Sequence, residues 1–532
     1  MLFVEFRFFV FFIIVFCVHW AIPSNTWRKA WLLLCSHVFY ACFFIGEPTE
    51  FWGHFCRAHG WQPLQAGVSQ AAEWKKIEGW WFPLVLMFST CMDYAVGLGI
   101  ADAKAEWKRR AWLFVSLGIN LGVLCFFKYY NFFVGSAADF LRWIHLPASD
   151  WTLKIFLPYG ISFYTFQSMS YSVDVYRRRL APVRNFLDLA FFIAFFPQLV
   201  AGPIVRAMTF LPQVFVKRSW DEVDVRACVN QFFIGFVKKA CVSETVAPVV
   251  DEFFGKPWVY NSYSVWMAVL FYAIQIYCDF SGYTDMAIAT ARLLGYELTI
   301  NFDFPYFSKN VTEFWRRWHI SLSTWLRDYL YISLGGNRGS KAFTYRNLML
   351  TMVLGGLWHG ASWNFIIWGG LHGFALIFHR EWQRLTANTS ALFKRIMAWL
   401  AVPLTFYWVC VTWIFFRSSP IMRPVLGADH KPILDAAGNP LMEVWKTGFY
   451  VAKVTLRSFV LLKSNDKRSF SWQAFALFVV LALIHWACSR KVFSTWWRRL
   501  PDWGYSALLG LGVAVALCFM PTKYKPFIYF QF

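Results

Sequence analysis

A histidine stands inside one of the most apolar segments of the chain. Residues 355–373 read GGLWHGASWNFIIWGGLHG, which surrounds His359 with glycines and tryptophans. Ionisable residues at membrane depth often belong to functional sites, so His359 is a candidate functional residue. A hydrogen bond to a neighbouring helix is the alternative role for this side chain. We expect His372, thirteen residues further on, to pack at the membrane interface.

The apolar stretch around His359 is too long to be one straight membrane-spanning helix. As a single helix, residues 347–378 would extend about 48 Å, against a hydrocarbon core of about 30 Å. Such a broken helix is stable at membrane depth only where protein or a water-filled cavity satisfies the freed backbone groups. We therefore expect an enclosed polar cavity at His359, with Ser362 capping the following helix. Since glycine is a weak helix former, the break is expected at Gly355, Gly356 and Gly360.

A second candidate element is the segment FWRRWHISLSTWLRDYLY at 314–331. Its apolar residues recur at steps of three and four and predict one face of an amphipathic helix: Trp315, Trp318, Leu322, Trp325 and Tyr329. The opposite face carries Arg316, His319 and Ser323. Such a helix suits an interfacial or re-entrant position.

The same segment offers groups that could bind an anionic donor. The planar guanidinium fork suits phosphate, so Arg316 and Arg317 are candidate donor-binding residues. In that interpretation His319 points into the cavity of His359. A surface helix held by lipid headgroups is the alternative, and the residues leave both open.

A third constellation interrupts the apolar run 274–289, which reads IQIYCDFSGYTDMAIA. Asp279 and Asp285 interrupt it, with Ser281 and Gly282 between them, and buried carboxylates need partners. They could orient an imidazole or an arginine, or bind a cation. A structural hydrogen-bond network is the alternative.

The composition places these segments in a membrane protein. The 532 residues are 58% hydrophobic and 15% charged, whereas soluble domains carry about 25% charged residues. The formal net charge is +21, but the basic residues cluster in short loops between apolar runs, as the positive-inside bias predicts. We therefore expect membrane lipids as neighbours and no nucleic acid. The cysteines predict neither a disulfide framework nor a zinc site, and we expect no metal.

A membrane-spanning helix needs about 20 mostly apolar residues. Runs of nearly that length or more lie at 2–22, 30–46, 80–100, 112–134, 154–173, 186–205, 228–250, 262–280, 344–358, 361–379, 395–417, 472–488 and 505–520. They predict an all-α polytopic membrane protein with about ten to twelve transmembrane helices, the remaining runs being re-entrant or interfacial. We expect one domain over 1–532, and we interpret 2–22 as a retained first helix.

Two polar stretches interrupt this pattern. Alternating spans place 47–79 on the periplasmic side, and 418–448 is a second polar connection. Each is a solvated loop or small surface element, or alternatively a docking face. The orientation follows from basic loops that we expect on the cytoplasmic side, at 26–30, 105–111, 176–180 and 496–500.

Several segments in the same order resemble the membrane-bound O-acyltransferase (MBOAT) family, and above all its bacterial branch for O-acetylation of exported polysaccharides such as alginate. The resemblance covers most of 110–380 and is carried by FKYYNFF (127–133), LPYGISFYTFQSMSYSVDVYRR (157–178), FPQLVAGPIVR (196–206), IYCDFSGYTDMAIA (276–289), FWRRWHISLSTWLRDYLYISLGGNRG (314–339) and RNLMLTMVLGGLWHGASWNFIIWGGLHG (346–373). The chain departs from relatives at 47–79, where their connection is shorter.

The resemblance implies a fold around a central channel and an O-acyltransferase in the bacterial inner membrane. It implies that His359 and His319 are catalytic. Acetyl-CoA is the expected acyl donor, with no tightly bound cofactor, and a periplasmic acetyltransferase is the expected partner. The acetyl group would be passed across the membrane to a polysaccharide such as alginate or cellulose. Candidate donors to the oxyanion are the N–H groups freed by the helix break, Ser362 and Asn364.

Two alternatives remain at this point. A transporter could move the acyl donor or a glycan without chemistry, because broken helices and buried charges suit transport equally well. A second alternative is an acyltransferase of the same family that acts on lipid, on teichoic acid or on a peptide.

Overall fold

The described part of the chain is mostly helical. The computed structural model describes residues 2–42, 81–149, 151–153, 155–425, 442–462, 468–492 and 496–520. Within these ranges the only paired strands are β1 (Ile421–Pro424) and β2 (Met442–Lys446), which form a small antiparallel hairpin. The all-α prediction is therefore confirmed, and the ends of the polar stretch 418–448 form a small surface element. The stretch 47–79 lies outside the described residues.

The α-helices of the described ranges are numbered in chain order. They are α1 Phe6–Ala21, α2 Asn25–Ala41, α3 Phe82–Asp102, α4 Glu106–Leu124, α5 Tyr130–Trp143, α6 Ile161–Tyr176, α7 Phe186–Ala194, α8 Phe196–Leu199, α9 Ala207–Val214, α10 Val225–Phe236, α11 Glu244–Gly255, α12 Ser262–Leu293, α13 Val311–Arg317, α14 Ile320–Trp325, α15 Lys341–His359, α16 Trp363–Leu385, α17 Ala391–Arg417, α18 Gly448–Leu461, α19 Trp472–Ser489 and α20 Asp502–Cys518. Segments of π-helix occupy Cys125–Tyr129, Val237–Ser243 and Leu326–Tyr331.

Each of the apolar runs contains a helix, whereas α18 was missed by the hydropathy pattern. Five described helices are long and apolar enough to cross a membrane: Phe82–Asp102, Glu106–Trp143, Ser262–Leu293, Ala391–Arg417 and Trp472–Ser489. They make this a multi-pass membrane protein. The total of ten to twelve spans stays a prediction, as does the single domain.

The described residues form two compact units. The first comprises Met1–Phe232 and Tyr283–Ile300. In it a buried polar network joins α3, α4 and α6, where the Asp93 carboxylate accepts hydrogen bonds from Ser116 at 2.7 Å and from Asn120 and Ser172 at 3.1 Å. Asp93 is fully buried, so these donors replace the water that the carboxylate loses.

The second unit comprises Phe233–Gly282 and Asn301–Phe532. Its core is aromatic, and three of its largest fully buried side chains are Trp318, Trp368 and Trp413. The ring centroids of Trp318 and Trp413 are 5.0 Å apart, and those of Trp368 and Trp413 are 6.0 Å apart. Because indole rings are large and stiff, this cluster provides a rigid wall for the adjoining site.

Two glycines allow α15 and α16 to pack at backbone contact. A Cβ on Gly356 would lie 2.2 Å from the Phe365 carbonyl oxygen, and one on Gly369 would lie 2.2 Å from the Met352 carbonyl oxygen. The sequence predicted a helix break at Gly355 and Gly356, and this prediction is wrong because both glycines lie inside α15. The break comes one turn later, between His359 and Trp363.

This packing yields a stability prediction. Gly356→Ala should lower the free energy of unfolding by about 1–3 kcal/mol, because the new methyl group overlaps a backbone oxygen that cannot move independently. The measurement is the thermal unfolding midpoint in detergent. Gly370→Ala is the matched control on α16, since a Cβ there meets no atom within 4 Å. Equal midpoints for the two variants would contradict the close approach.

Candidate active site

His319 lies at a break between two short helices. The helix α13 ends at Arg317 and α14 begins at Ile320, so the single amphipathic helix expected over 314–331 is wrong. His319 has a left-handed backbone with φ of 43°, a conformation that costs a non-glycine residue about 1–2 kcal/mol. Its side chain is fully buried.

Asn301 holds this break in place. Its carbonyl oxygen accepts from the Ile320 N–H at 3.0 Å, and its Oδ1 accepts from the Ser321 N–H at 3.2 Å. The His319 carbonyl oxygen accepts from the Ser323 N–H at 2.9 Å. The interrupted backbone is thus satisfied by protein, which buried N–H and C=O groups require.

His359 lies at the second break, as the last residue of α15. Gly360 has an extended backbone, and a Cβ on it would lie 2.2 Å from the Phe365 ring. Ser362 caps α16 by accepting from the Asn364 N–H at 3.3 Å, which confirms the predicted cap. His359 is 3% exposed.

The two breaks bring the two histidines together. The ring centroids of His319 and His359 are 6.3 Å apart. Since each ring nitrogen lies little more than an ångström from its centroid, the nitrogens of the two rings are too far apart to bond directly. The spacing instead permits a third atom to lie between them. No prediction from local sequence alone could supply this distance.

Aromatic rings enclose the pair. Phe280 packs edge-on against His319 at 4.6 Å, while Trp368 and Phe416 pack edge-on against His359 at 5.0 Å and 5.3 Å. Both imidazoles are therefore almost completely enclosed by protein side chains.

The two arginines beside His319 have different surroundings. Arg317 is half-buried and pairs with Glu313 at 2.8 Å, and one of its N–H groups donates to the Asp303 carbonyl oxygen at 3.3 Å. Its guanidinium is therefore engaged within the protein. Arg316 is exposed, so of the two predicted donor-binding arginines it is the one accessible to a ligand.

Asp279 and Ser281 lie on α12, on either side of Phe280. The Asp279 carboxylate forms an ion pair with Lys239, whose Nζ also lies 2.9 Å from Glu244 Oε1. All three charged groups are at least 95% buried. This favours the structural network over a cation site for Asp279. Ser281 is buried at the same turn of the helix.

The remaining predicted residue, Asn364, has a structural contact. Its side-chain amide donates to the Ser418 carbonyl oxygen at 2.7 Å and so ties α16 to the end of α17. Ser362 is occupied as the helix cap. Both lie within five residues of His359, and their roles toward an oxyanion stay predictions.

Comparison with known proteins identifies the family of the chain. The model of the membrane-bound O-acyltransferase family matches residues 78–419, which include both histidines. The chain belongs to this family.

Named relatives of this MBOAT protein are bacterial. It is 43% identical over 345 residues to a probable alginate O-acetylase, AlgI, of Pseudomonas aeruginosa, which is 64% of each chain. A probable alginate O-acetylase of Pseudomonas putida is 37% identical over 461 residues, covering 85% of this chain and 92% of the relative. A peptidoglycan O-acetyltransferase of Helicobacter pylori is 38% identical over 361 residues, covering 63% and 67%.

One further histidine of the MBOAT protein adjoins the pair. His372 is fully buried rather than interfacial, and neither ring nitrogen has a hydrogen-bond partner among the described residues. Its ring lies 4.8 Å from Trp368, which also contacts His359. His372 and His359 therefore share Trp368 as a neighbour. The feature of the sequence that pointed to His372 was its position as a second histidine beside glycines.

The buried ion-pair network yields a second prediction. Lys239→Met should destabilise the protein by about 3–5 kcal/mol, because it leaves two buried carboxylates without their cation. Thermal unfolding in detergent measures the loss. The triple variant Lys239→Met/Glu244→Gln/Asp279→Asn removes all three charges and should recover most of it. A triple variant as unstable as the single one would show that the charges do not act as a unit.

Proposed function

We propose that this protein transfers an acetyl group from a cytoplasmic thioester, acetyl-CoA, for the O-acetylation of an exported polysaccharide. The family match supports acyl transfer as the reaction class. The names of the relatives support acetyl as the group and a polysaccharide as the end of the route. The observation that carries the proposal is the buried His319–His359 pair, with 6.3 Å between ring centroids.

The reaction exchanges one acyl bond for another. A hydroxyl oxygen attacks the thioester carbonyl, the C–O bond forms, and the C–S bond breaks. The hydroxyl proton passes to an imidazole and then to the departing thiolate, which leaves as a thiol. His359 is the proposed base, because it lies at the break where α15 ends and the backbone hydrogen bonds of the helix stop.

His319 is the proposed second catalytic group. A centroid spacing of 6.3 Å lets one oxygen or sulfur atom contact both rings in turn. A neutral imidazole can donate through one nitrogen and accept through the other. His319 can therefore orient the acceptor hydroxyl by a hydrogen bond, while His359 takes the hydroxyl proton and then passes it to the leaving thiolate.

The oxyanion needs donors near His359. The first turn of α16 begins four residues after His359, and first-turn N–H groups have no acceptor within their own helix. They also carry the positive end of the helix dipole. Three of these groups, the Asn364, Phe365 and Ile366 N–H, donate to Ser362, so the proposed oxyanion would replace Ser362 as their acceptor. The Asn364 side chain already donates to Ser418.

The acceptor on the outer side is proposed to be a periplasmic acetyltransferase, which then modifies the polymer. This requires a protein of the bacterial inner membrane with access to both aqueous sides. The relatives named for alginate and for peptidoglycan acetylation act on different polymers. Their shared chemistry is a sugar hydroxyl as the final acceptor, with alginate or cellulose as examples of the polymer.

The histidines are tested by substitution. His359→Ala should reduce release of CoA from acetyl-CoA by the purified protein at least 100-fold, because general-base catalysis contributes about 10²–10⁴-fold. His319→Ala should cause a severe loss with a larger residual rate. His379→Ala is the matched control, since it lies about 24 Å along α16 from its first residue and is only partly buried.

Equal thiol release by His359→Ala and the unaltered protein would remove His359 from the mechanism. Transport of intact acetyl-CoA into proteoliposomes without release of CoA would favour a transporter over an acyltransferase. Acetyl content of surface polysaccharide in cells with each variant connects the purified reaction to the polymer.

Donor binding is tested at Arg316. Arg316→Glu should raise KM for acetyl-CoA about tenfold with little change in kcat, because an exposed cation near phosphate contributes mainly to binding. Arg338→Glu reverses another exposed charge and serves as the control. An unchanged KM in the Arg316 variant would assign this arginine to the lipid surface instead.

A further inference from the structure

A basic pocket lies in the first unit, far in sequence from the histidine pair. Its volume is about 660 Å³, and it forms where α1 ends, α2 begins and residues 217–220 approach them. Three aromatic and three cationic side chains line it: Phe16, Trp20, Trp220, Arg28, Lys217 and Arg218.

The three cations around this pocket are not neutralised by the protein. Within the described residues no carboxylate lies within ion-pair distance of Arg28, Lys217 or Arg218. Ser219 also lines the pocket, and its hydroxyl contacts Asp221 at 3.4 Å. A cavity bordered by three uncompensated cations is a site of positive potential, which favours an anion.

Two of the cations are held rigidly. Arg28 is 7% exposed and donates to the carbonyl oxygens of Ile22 at 2.6 Å and Arg218 at 2.8 Å. Arg218 lies over the Tyr296 ring, and its Nε is buried with no acceptor among the described residues. Gly295 has φ of 84°, and its ideal Cβ would meet the Arg218 side chain at 2.9 Å. The site is therefore preorganised, and one buried donor lacks an acceptor.

The aromatic walls are equally fixed. The Trp20 Nε1 donates to the Leu293 carbonyl oxygen at 3.0 Å, and the Arg28 guanidinium lies 5.0 Å over the Trp20 ring. Trp220 packs edge-on against both Trp20 and Phe16 at 5.4 Å. Indole rings beside cations are typical of the headgroup region of a membrane.

The position of the pocket along α1 indicates its depth in the bilayer. Phe6, Phe9 and Ile13 are exposed on α1 at 80%, 38% and 61%. At steps of three and four, the same helix face continues to Phe16 and Trp20, which line the pocket. The exposed part of this face is suited to acyl chains, and the pocket at its end then lies at the depth of lipid headgroups.

We propose that this pocket binds the phosphate headgroup of an anionic phospholipid, whose acyl chains lie along the exposed face of α1. The phosphate oxygens would take the free donors of Arg218 and Lys217, with Trp20 and Trp220 as side walls. Inorganic phosphate and the phosphates of CoA share this chemistry. The continuous apolar face of α1 favours the lipid, because only a lipid uses both features. This site is separate from the proposed acetyl transfer.

Native mass spectrometry of the full protein in detergent tests the proposal, with phosphatidylglycerol as the anionic lipid and phosphatidylcholine as the neutral one. The unaltered protein should retain more phosphatidylglycerol than phosphatidylcholine. Lys217→Gln/Arg218→Gln should weaken that binding about thirty-fold, since each cation near the surface contributes about 1 kcal/mol. Lys104→Gln/Lys108→Gln removes two exposed charges elsewhere in the first unit and should leave binding unchanged.

Thermal unfolding provides the second measurement. Phosphatidylglycerol should raise the midpoint of the unaltered protein and of the Lys104/Lys108 variant but not of the Lys217/Arg218 variant. Trp220→Ala keeps every cation and should weaken lipid binding without abolishing it. Equal lipid binding by both double variants would overturn the site. The proposal of a lipid would also be overturned if inorganic phosphate or CoA competed fully while the lipid gave no stabilisation.

Discussion

The candidate active site depends on one constraint: in a membrane protein, a backbone that leaves the helical pattern must find its hydrogen bonds within the protein. The second unit meets this requirement twice. Asn301 supplies acceptors for the backbone just after His319, and Ser362 caps the helix that follows His359. Each histidine is therefore placed at a point where the main chain turns, which frees its side chain from the regular face of a helix. The two histidines meet because the chain contains two helix breaks whose backbone groups are hydrogen-bonded within the protein.

Close packing makes the interruptions rigid. Gly356 and Gly369 let α15 and α16 approach until the backbone of one contacts the backbone of the other, so the turn between them has little freedom. Trp368 then contacts the rings of both His359 and His372. Stiff aromatic rings therefore enclose these imidazoles.

The charged side chains follow a related requirement, because a buried charge also needs a partner. Near the pair, Lys239 is matched by two carboxylates, since an unpaired buried charge would be too costly. In the first unit, the cations beside Trp20 have no such match. An unmatched cation is stable only where water or an anion reaches it, which agrees with the headgroup depth proposed for the basic pocket. The large positive net charge therefore includes structural, buried cations and cations that face the headgroups.

The sequence by itself determined the class of protein, the position of nearly every long helix, the break beside His359 and the Ser362 cap. These follow from local properties: apolar length, helix-breaking glycine and capping chemistry. Only the tertiary structure decided that 314–331 breaks at His319, that Asp279 pairs with Lys239 and that Arg317 is engaged while Arg316 is exposed. The reason is physical. Hydrophobic periodicity extends over a few turns of one helix, whereas these outcomes depend on partners distant in sequence, such as Asn301 for His319, which become neighbours only when the chain packs.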